Sequence, residues 1–266
     1  KALMKSCNDV MMHMAADLGA TRFAKYVRSF GFGSKTGIDL PGEAEGGIFS
    51  KEKLHQVELA TSSFGQGQTV TMIQLASAFS AVINGGNYYQ PHVVEEINSE
   101  SGAVVSSNDN TLVKRVVSED ASKLIRKYLE KTVEDDEGTA SPARVKGYVI
   151  GGKTGTAEKW PRNEGKYLVS FAGFTPTDKP ELMIYVVIDE PHVSDQAHST
   201  YATEFASEVL KDVLPMLGIY KQTGKSDSAK KITLPSTKKG NQLLEVPKGG
   251  FSSSTYKVAK SKKNNG

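Results

Sequence analysis

The chain has a single cysteine and a single tryptophan in 266 residues, ten prolines, and no apolar run approaching the roughly 20 residues that span a bilayer. One thiol excludes a disulfide framework within the chain. Ten prolines and 25 glycines, with no three-residue period, exclude collagen and argue against wholesale disorder. No signal peptide opens the sequence. Lys1-Ala2-Leu3-Met4 reads as the inside of a helix with no cap before it, so the expectation is a piece cut from a longer chain. What is present, 38% hydrophobic and 24% charged residues, is the composition of a soluble globular protein with a sizeable core.

The net charge of +3 hides an asymmetry. From Thr223 to Gly266 ten lysines stand against Asp227 and Glu245, a surplus of eight, which leaves a deficit of five on residues 1–222. The tail reads as a solvated linker, and the acidic body makes nucleic acid an unsuitable main ligand. Two segments result: a domain over 1–222 and a Lys/Ser-rich tail over 223–266.

Leu3, Cys7, Val10, Met11, Met14 and Leu18 follow a helical period that Gly19 ends, and Phe23, Val27 and Phe30 mark a second helix. Thr71 and Gln74 have capping-box spacing ahead of Ile73, Ala76, Phe79 and Ile83. Ser118 caps a helix expected to bury Leu124, Ile125, Tyr128, Leu129 and Val133. Three runs then read as strands: Tyr148–Ile150, Tyr167–Phe174 and Leu182–Ile188, with a hairpin tip at Asn163-Glu164-Gly165. A closing helix from Thr200 to Leu217 carries Phe205, Val209, Val213 and Leu217 on one stripe. Helices, three adjacent strands and a closing helix give an α+β layered domain with an antiparallel sheet.

The segment richest in chemistry is Gly151-Gly152-Lys153-Thr154-Gly155-Thr156. Paired glycines at a strand mark a place where something approaches the backbone. A lysine with two threonine hydroxyls would hold an anionic group such as a carboxylate. Lys-Thr-Gly recurs at Lys35-Thr36-Gly37, where the Pro/Gly-rich surroundings read as a turn. Ser6-Cys7-Asn8 is uninformative by itself, and Ser106-Ser107-Asn108 repeats its pattern in a polar stretch.

These residues, together with their order, resemble a known family. Lys153-Thr154-Gly155-Thr156 is similar to the third motif of penicillin-binding proteins and serine β-lactamases. The surroundings resemble the transpeptidase domain of class B penicillin-binding proteins, of the division and spore-cortex types. The resemblance runs through Phe30-Gly31-Phe32-Gly33-Ser34-Lys35-Thr36-Gly37-Ile38-Asp39-Leu40-Pro41-Gly42-Glu43 and Ser63-Phe64-Gly65-Gln66-Gly67. It continues in Gln74-Leu75-Ala76, Asn84-Gly85-Gly86, Glu137-Gly138-Thr139-Ala140 and Val169-Ser170-Phe171-Ala172-Gly173-Phe174.

The resemblance implies the β-lactamase/DD-peptidase-like fold and a serine D,D-transpeptidase that cross-links peptidoglycan stem peptides without a cofactor or metal. It implies that Ser6 relays a proton and that Asn8 orients the substrate amide and the base. Lys153 would supply positive potential, and the Thr154 and Thr156 hydroxyls would bind the terminal carboxylate. The Thr156 N–H would help hold the oxyanion, and Gly155 would let substrate approach the strand. β-Lactams and a membrane glycan polymerase would be partners, and a single membrane anchor would lie upstream with the domain outside the membrane.

One part of the family pattern is missing. The Ser-x-x-Lys motif that holds the nucleophile should precede Ser-x-Asn, and only five residues precede Ser6. Ser50/Lys53, Ser228/Lys231, Ser236/Lys239 and Ser254/Lys257 match the spacing but not the place. The chain is therefore expected to be inactive alone, with three strands of a five-stranded sheet and an exposed sheet edge. A serine β-lactamase or carboxypeptidase, and a non-catalytic scaffold of the same descent, stand as alternatives. Cys7 reads as a core or site-wall residue. His192, Asp195 and His198 fit no common metal-ligand spacing. Trp160 and Tyr167 read either as substrate contacts at the cleft or as a cross-strand pair. Val246-Pro247 onward faintly resembles the start of a wall-binding PASTA module, but its core glycine and apolar positions fit poorly, and disorder is the expectation for the tail.

Overall fold

The computed structural model describes residues 1–108 and 110–222. The basic segment 223–266, and the linker and PASTA expectations placed on it, lie outside the described residues. The first half holds α1 (Asn8–Leu18), α2 (Ala20–Ser29), α3 (Gln56–Ser63) and α4 (Met72–Ile83). Four short strands follow, β1 (Asn87–Tyr89), β2 (Glu96–Asn98), β3 (Val104–Ser107) and β4 (Leu112–Arg115), and then α5 (Glu119–Glu134). The second half is β5 (Gly151–Glu158), β6 (Tyr167–Thr175), β7 (Leu182–Asp189) and α6 (Thr200–Met216). β5, β6 and β7 form an antiparallel sheet in that order, with Lys153 opposite Ala172 and Ala172 opposite Tyr185. The architecture is the α+β layering that the pattern suggests. β1 pairs with β4 and β2 with β3 in two further small antiparallel sheets.

The sheet is covered on both faces. Phe171 and Val186 pack with Ala202, Ala206, Leu210 and Leu214 of α6. On the other face Phe174 packs with Ile83 of α4 and Leu129 of α5, and Phe79 meets Phe174 at 6.1 Å between ring centroids. The stripe on α6 is not the expected one, since Phe205 is 57% exposed and Leu217 faces solvent. The small Ala202 and Ala206 let the helix sit close to the sheet, and the two leucines fill the remaining space. On α5, Leu124 and Tyr128 are likewise exposed, while Ser122, Leu129, Thr132 and Val133 form the buried stripe.

Local signals hold where they rest on caps. Thr71 Oγ1 accepts from the Gln74 N–H at 3.2 Å, and Gln74 Oε1 accepts from the Thr71 N–H at 3.0 Å. The fully buried Gln74 then donates from Nε2 to the carbonyls of Ser34 and Glu45 at 2.7 and 2.9 Å. One capping residue thereby pins the loop that follows Phe30 and Phe32 to the start of α4. Ser118 caps α5 by accepting from the Ala121 N–H at 3.2 Å. The hairpin between β5 and β6 turns through Asn163 and Gly165, both with positive φ.

Two expectations fail at the strand and helix starts. Tyr148–Ile150 lies before β5, and the strand is the Gly-Gly-Lys-Thr-Gly-Thr segment itself. Residues 1–6 are a turn rather than helix. The Cys7 N–H reaches back five residues to the Ala2 carbonyl at 3.0 Å, and Ser6 takes a φ of 51°. α1 begins only at Asn8.

The paired glycines serve packing. A Cβ on Gly152 would lie 2.5 Å from the Phe171 ring and 2.7 Å from the Ala172 carbonyl. A Cβ on Gly151 would lie 2.5 Å from the Phe174 ring. What approaches the backbone here is the protein's own core. Gly152→Ala should therefore lower stability by about 1–3 kcal/mol through overpacking. Gly155→Ala, which meets only the Ser170 hydroxyl, should cost much less. Urea denaturation of the two variants checks the order, and equal losses would contradict it.

Candidate active site

β5 carries Lys153 into the space between the sheet and the N-terminal turn. Its ammonium donates to Ser6 Oγ, 147 residues away in sequence, and to the Thr154 carbonyl at 2.8 Å. Ser6 reaches this position because of its left-handed backbone, uncommon for a residue with a side chain and costly unless its surroundings hold it. The holding contacts are visible. Met4 is buried, and its carbonyl accepts from the Thr139 N–H at 3.3 Å. Lys5 Nζ donates to the Glu137 carbonyl at 3.0 Å and pairs with the Glu137 carboxylate at 3.1 Å.

The same segment of chain also fixes β5. At the end of α5, Thr132 Oγ1 donates to the Gly152 carbonyl, and Glu134 Oε1 accepts from the Ile150 N–H at 2.9 Å. Arg144 donates to the Val133 and Glu134 carbonyls at 2.7 and 2.8 Å and closes the loop that bears Glu137 and Thr139. One helix end thus holds both halves of the Lys153–Ser6 contact.

Lys153 and Ser6 are brought together. Asn8 lies two residues beyond Ser6 as the first residue of α1, with an exposed side chain. Thr154 is half-buried, and its Oγ1 lies 3.4 Å from Thr139 Oγ1. Thr156 is exposed on the same strand, and Gly155 sits between them. Thr139 and Glu137 had no role assigned from sequence, although Glu137-Gly138-Thr139-Ala140 was part of the resemblance. Cys7 is the half-buried residue just before α1.

The remaining candidates lie elsewhere. Lys35-Thr36-Gly37 lies in an irregular loop closed on an internal carboxylate: Glu43 accepts from the Thr36 N–H at 2.6 Å, the Thr36 hydroxyl at 2.6 Å and the Gly37 N–H at 3.0 Å. His198 pairs with Asp195 at 2.9 Å. Tyr167 stands opposite Glu158 in the β5–β6 register, so Trp160 and Tyr167 do not form a cross-strand pair.

Lys153 also borders an apolar cavity of about 320 Å³. Phe30 and Phe32, then Leu75, Phe79 and Val82 of α4, form one wall, and Ser170, Ala172 and Tyr185 of the sheet form the other. The lysine is the charged group of this lining. Its burial pushes the ammonium from the ordinary lysine value of 10.5 down to about 8. Burial also pushes the Tyr185 hydroxyl up, with its hydrogen bond to Ser170 opposing.

A charge held at this cost has a measurable consequence. Between about pH 8 and 10.5 the unfolded chain binds the lysine proton and the folded chain does not, so stability rises with pH across that window. Below pH 8 both states are protonated and the full penalty remains. Lys153→Met removes the charge, so its gain over the unaltered chain should be largest below pH 8 and shrink towards pH 10.5. Denaturation of both proteins at pH 7 and pH 10 checks this, and a gap independent of pH would contradict it.

Comparison with known proteins adds to this geometry. Residues 1–211 match the family model for the penicillin binding protein transpeptidase domain. The chain is 41% identical over 253 residues to stage V sporulation protein D of Bacillus subtilis, covering 93% of this chain and 38% of that protein. It is 29% identical to a probable peptidoglycan D,D-transpeptidase of Neisseria meningitidis, covering 80% of this chain and 34% of that one. Among solved structures, penicillin-binding protein 3 of Mycobacterium tuberculosis, complexed with aztreonam, is similar with a TM-score of 0.75 and 25% identity. That match covers 84% of this chain and 52% of the other. The chain thus spans well under half the length of these sequence relatives.

Proposed function

Because the chain belongs to the penicillin-binding protein transpeptidase domain family and has its β-lactamase/DD-peptidase-like fold, we propose that it forms the substrate-binding half of a class B peptidoglycan D,D-transpeptidase. The observation that carries the reading is the half-buried Lys153 ammonium on Ser6 Oγ at the mouth of an apolar cavity. An alcohol bound to a lysine that loses its proton near pH 8 can pass a proton to a leaving amine and take one back from an incoming amine.

In this reading a serine hydroxyl attacks the carbonyl of the penultimate D-Ala, and terminal D-Ala departs with a proton delivered through Ser6. An amine of a neighbouring stem peptide then displaces the serine and regenerates it. Lys153, with the Thr154 and Thr156 hydroxyls, holds the substrate carboxylate. Asn8 orients the amide, Gly155 leaves the strand open to the substrate, and the Thr156 N–H is one donor to the oxyanion. β-Lactams occupy the same place as the acyl-D-Ala-D-Ala end.

The nucleophile is proposed to lie outside residues 1–266. Ser50, the one described serine of a Ser-x-x-Lys match, opens a short 3-10 turn with Glu52 as a side-chain partner. The apolar cavity beside Lys153 is the place where a nucleophile-bearing helix would seat. The reading includes one membrane anchor upstream, a domain outside the membrane and a glycan polymerase as partner. No described helix is long and apolar enough to cross a membrane.

Labelling with a fluorescent penicillin tests the reading. The 266-residue chain should remain unlabelled, and a longer chain carrying its upstream Ser-x-x-Lys segment should be acylated stoichiometrically. In that longer chain Lys153→Ala should slow acylation by roughly 100-fold or more. Labelling of the short chain would overturn the placement of the nucleophile, and no labelling of the long one would overturn the transpeptidase reading.

A further inference from the structure

Beyond the site, the feature that stands out is Trp160. It is the chain's only tryptophan and, at 84%, the most exposed of the large apolar side chains among the described residues. An exposed indole offers a large flat apolar face with a polar N–H, the kind of surface that is enriched at contacts.

Trp160 is not on a loose end. The Lys159 N–H donates to the Lys166 carbonyl at 2.9 Å across the hairpin, and the Asn163 N–H donates to Glu158 Oε1 at 2.7 Å. Lys159 is tied to Asp189 and Glu190 at 2.9 and 2.6 Å, which joins the hairpin to the end of β7. The arm that presents the indole is thus anchored on both sides, and Arg162 and Asn163, both exposed, stand beside it.

The strand sets the direction in which a bound substrate leaves the site. Among the described residues β5 is paired only with β6, so its other edge is open to an extended peptide. At the Gly151 end that edge is closed by α5, whose Thr132 and Glu134 bond to Gly152 and Ile150. A peptide with its carboxylate at Lys153 and the two threonines can therefore run only towards Trp160. The four steps from Thr156 to Trp160, the last two beyond the end of β5, span at most about 13 Å of extended chain, which is also the reach of about four extended peptide residues. At that distance a stem peptide nears its junction with the glycan.

We propose that Trp160 is a platform for a sugar ring of the substrate glycan, next to the point where the stem peptide is attached. The C–H face of a pyranose covers the indole, and Arg162 and Asn163 supply hydrogen bonds to its hydroxyl and acetamido groups. The site then reads two parts of one substrate, the D-Ala-D-Ala terminus at Lys153 and the sugar at the hairpin. This rests on the transpeptidase reading above.

Intrinsic fluorescence of the 266-residue chain reports on Trp160 alone. The probes are a soluble disaccharide–pentapeptide ending in D-Ala-D-Ala and the same pentapeptide without sugars. The sugar-bearing probe should change the emission and bind roughly 3- to 10-fold more tightly than the bare peptide. By calorimetry, Trp160→Ala should bring its affinity down to that of the bare peptide and leave the bare peptide unaffected, and Trp160→Phe should restore part of the difference. Equal affinity of the two probes, with Thr156→Val weakening both, would overturn the sugar platform and leave the transpeptidase reading standing. Binding of neither probe would overturn the platform together with that reading.

Discussion

The structure is organised around a cation that it is costly to bury. The Lys153 ammonium sits against apolar walls with a hydroxyl and a backbone carbonyl as its hydrogen-bond partners, and its proton affinity falls accordingly. A lysine in that position gains strongly from any anion that enters beside it, because the anion restores the solvation that burial removed. In the proposed reading, the residues around it receive that anion. Ser6 is held in a backbone conformation that few serines adopt, and Thr154 and Thr156 lie on the same strand.

What keeps the cation and its partner in place is the end of α5. Its last turn bonds to the start of β5, and the loop after it bonds to Met4 and Lys5, which lead directly into Ser6. The contact between residues 6 and 153 is therefore a by-product of two anchors on a third element. The paired glycines belong to the same arrangement, because they let Phe171, Phe174 and α5 close on β5 from both faces. Side chains at those two positions would push the strand off the helix that sets its height.

Much of this was legible in the sequence, and the failures are physical. Caps are local, so Thr71, Gln74 and Ser118 could be read directly, as could the left-handed turn residues of the β5–β6 hairpin. Lys153-Thr154-Gly155-Thr156 was legible as a strand motif because it is short and chemically distinctive. The stripe on α6 does not follow its large apolar residues, because Ala202 and Ala206 are buried for being small. The turn at residues 1–6 hid behind a helical period, since its decisive bond, from Cys7 to Ala2, leaves no mark on hydrophobic spacing. Thr139 was missed because its relation to Thr154 exists only once the helix end has folded against the strand.

The central claim is that Lys153 is a desolvated cation awaiting a carboxylate. The most direct test follows its side-chain amine by NMR through a pH titration, with and without a peptide ending in D-Ala-D-Ala. The account predicts a midpoint near 8 in the free chain, moving upward when the peptide binds. A midpoint at the ordinary lysine value in the free chain, or one that the peptide leaves in place, would contradict it.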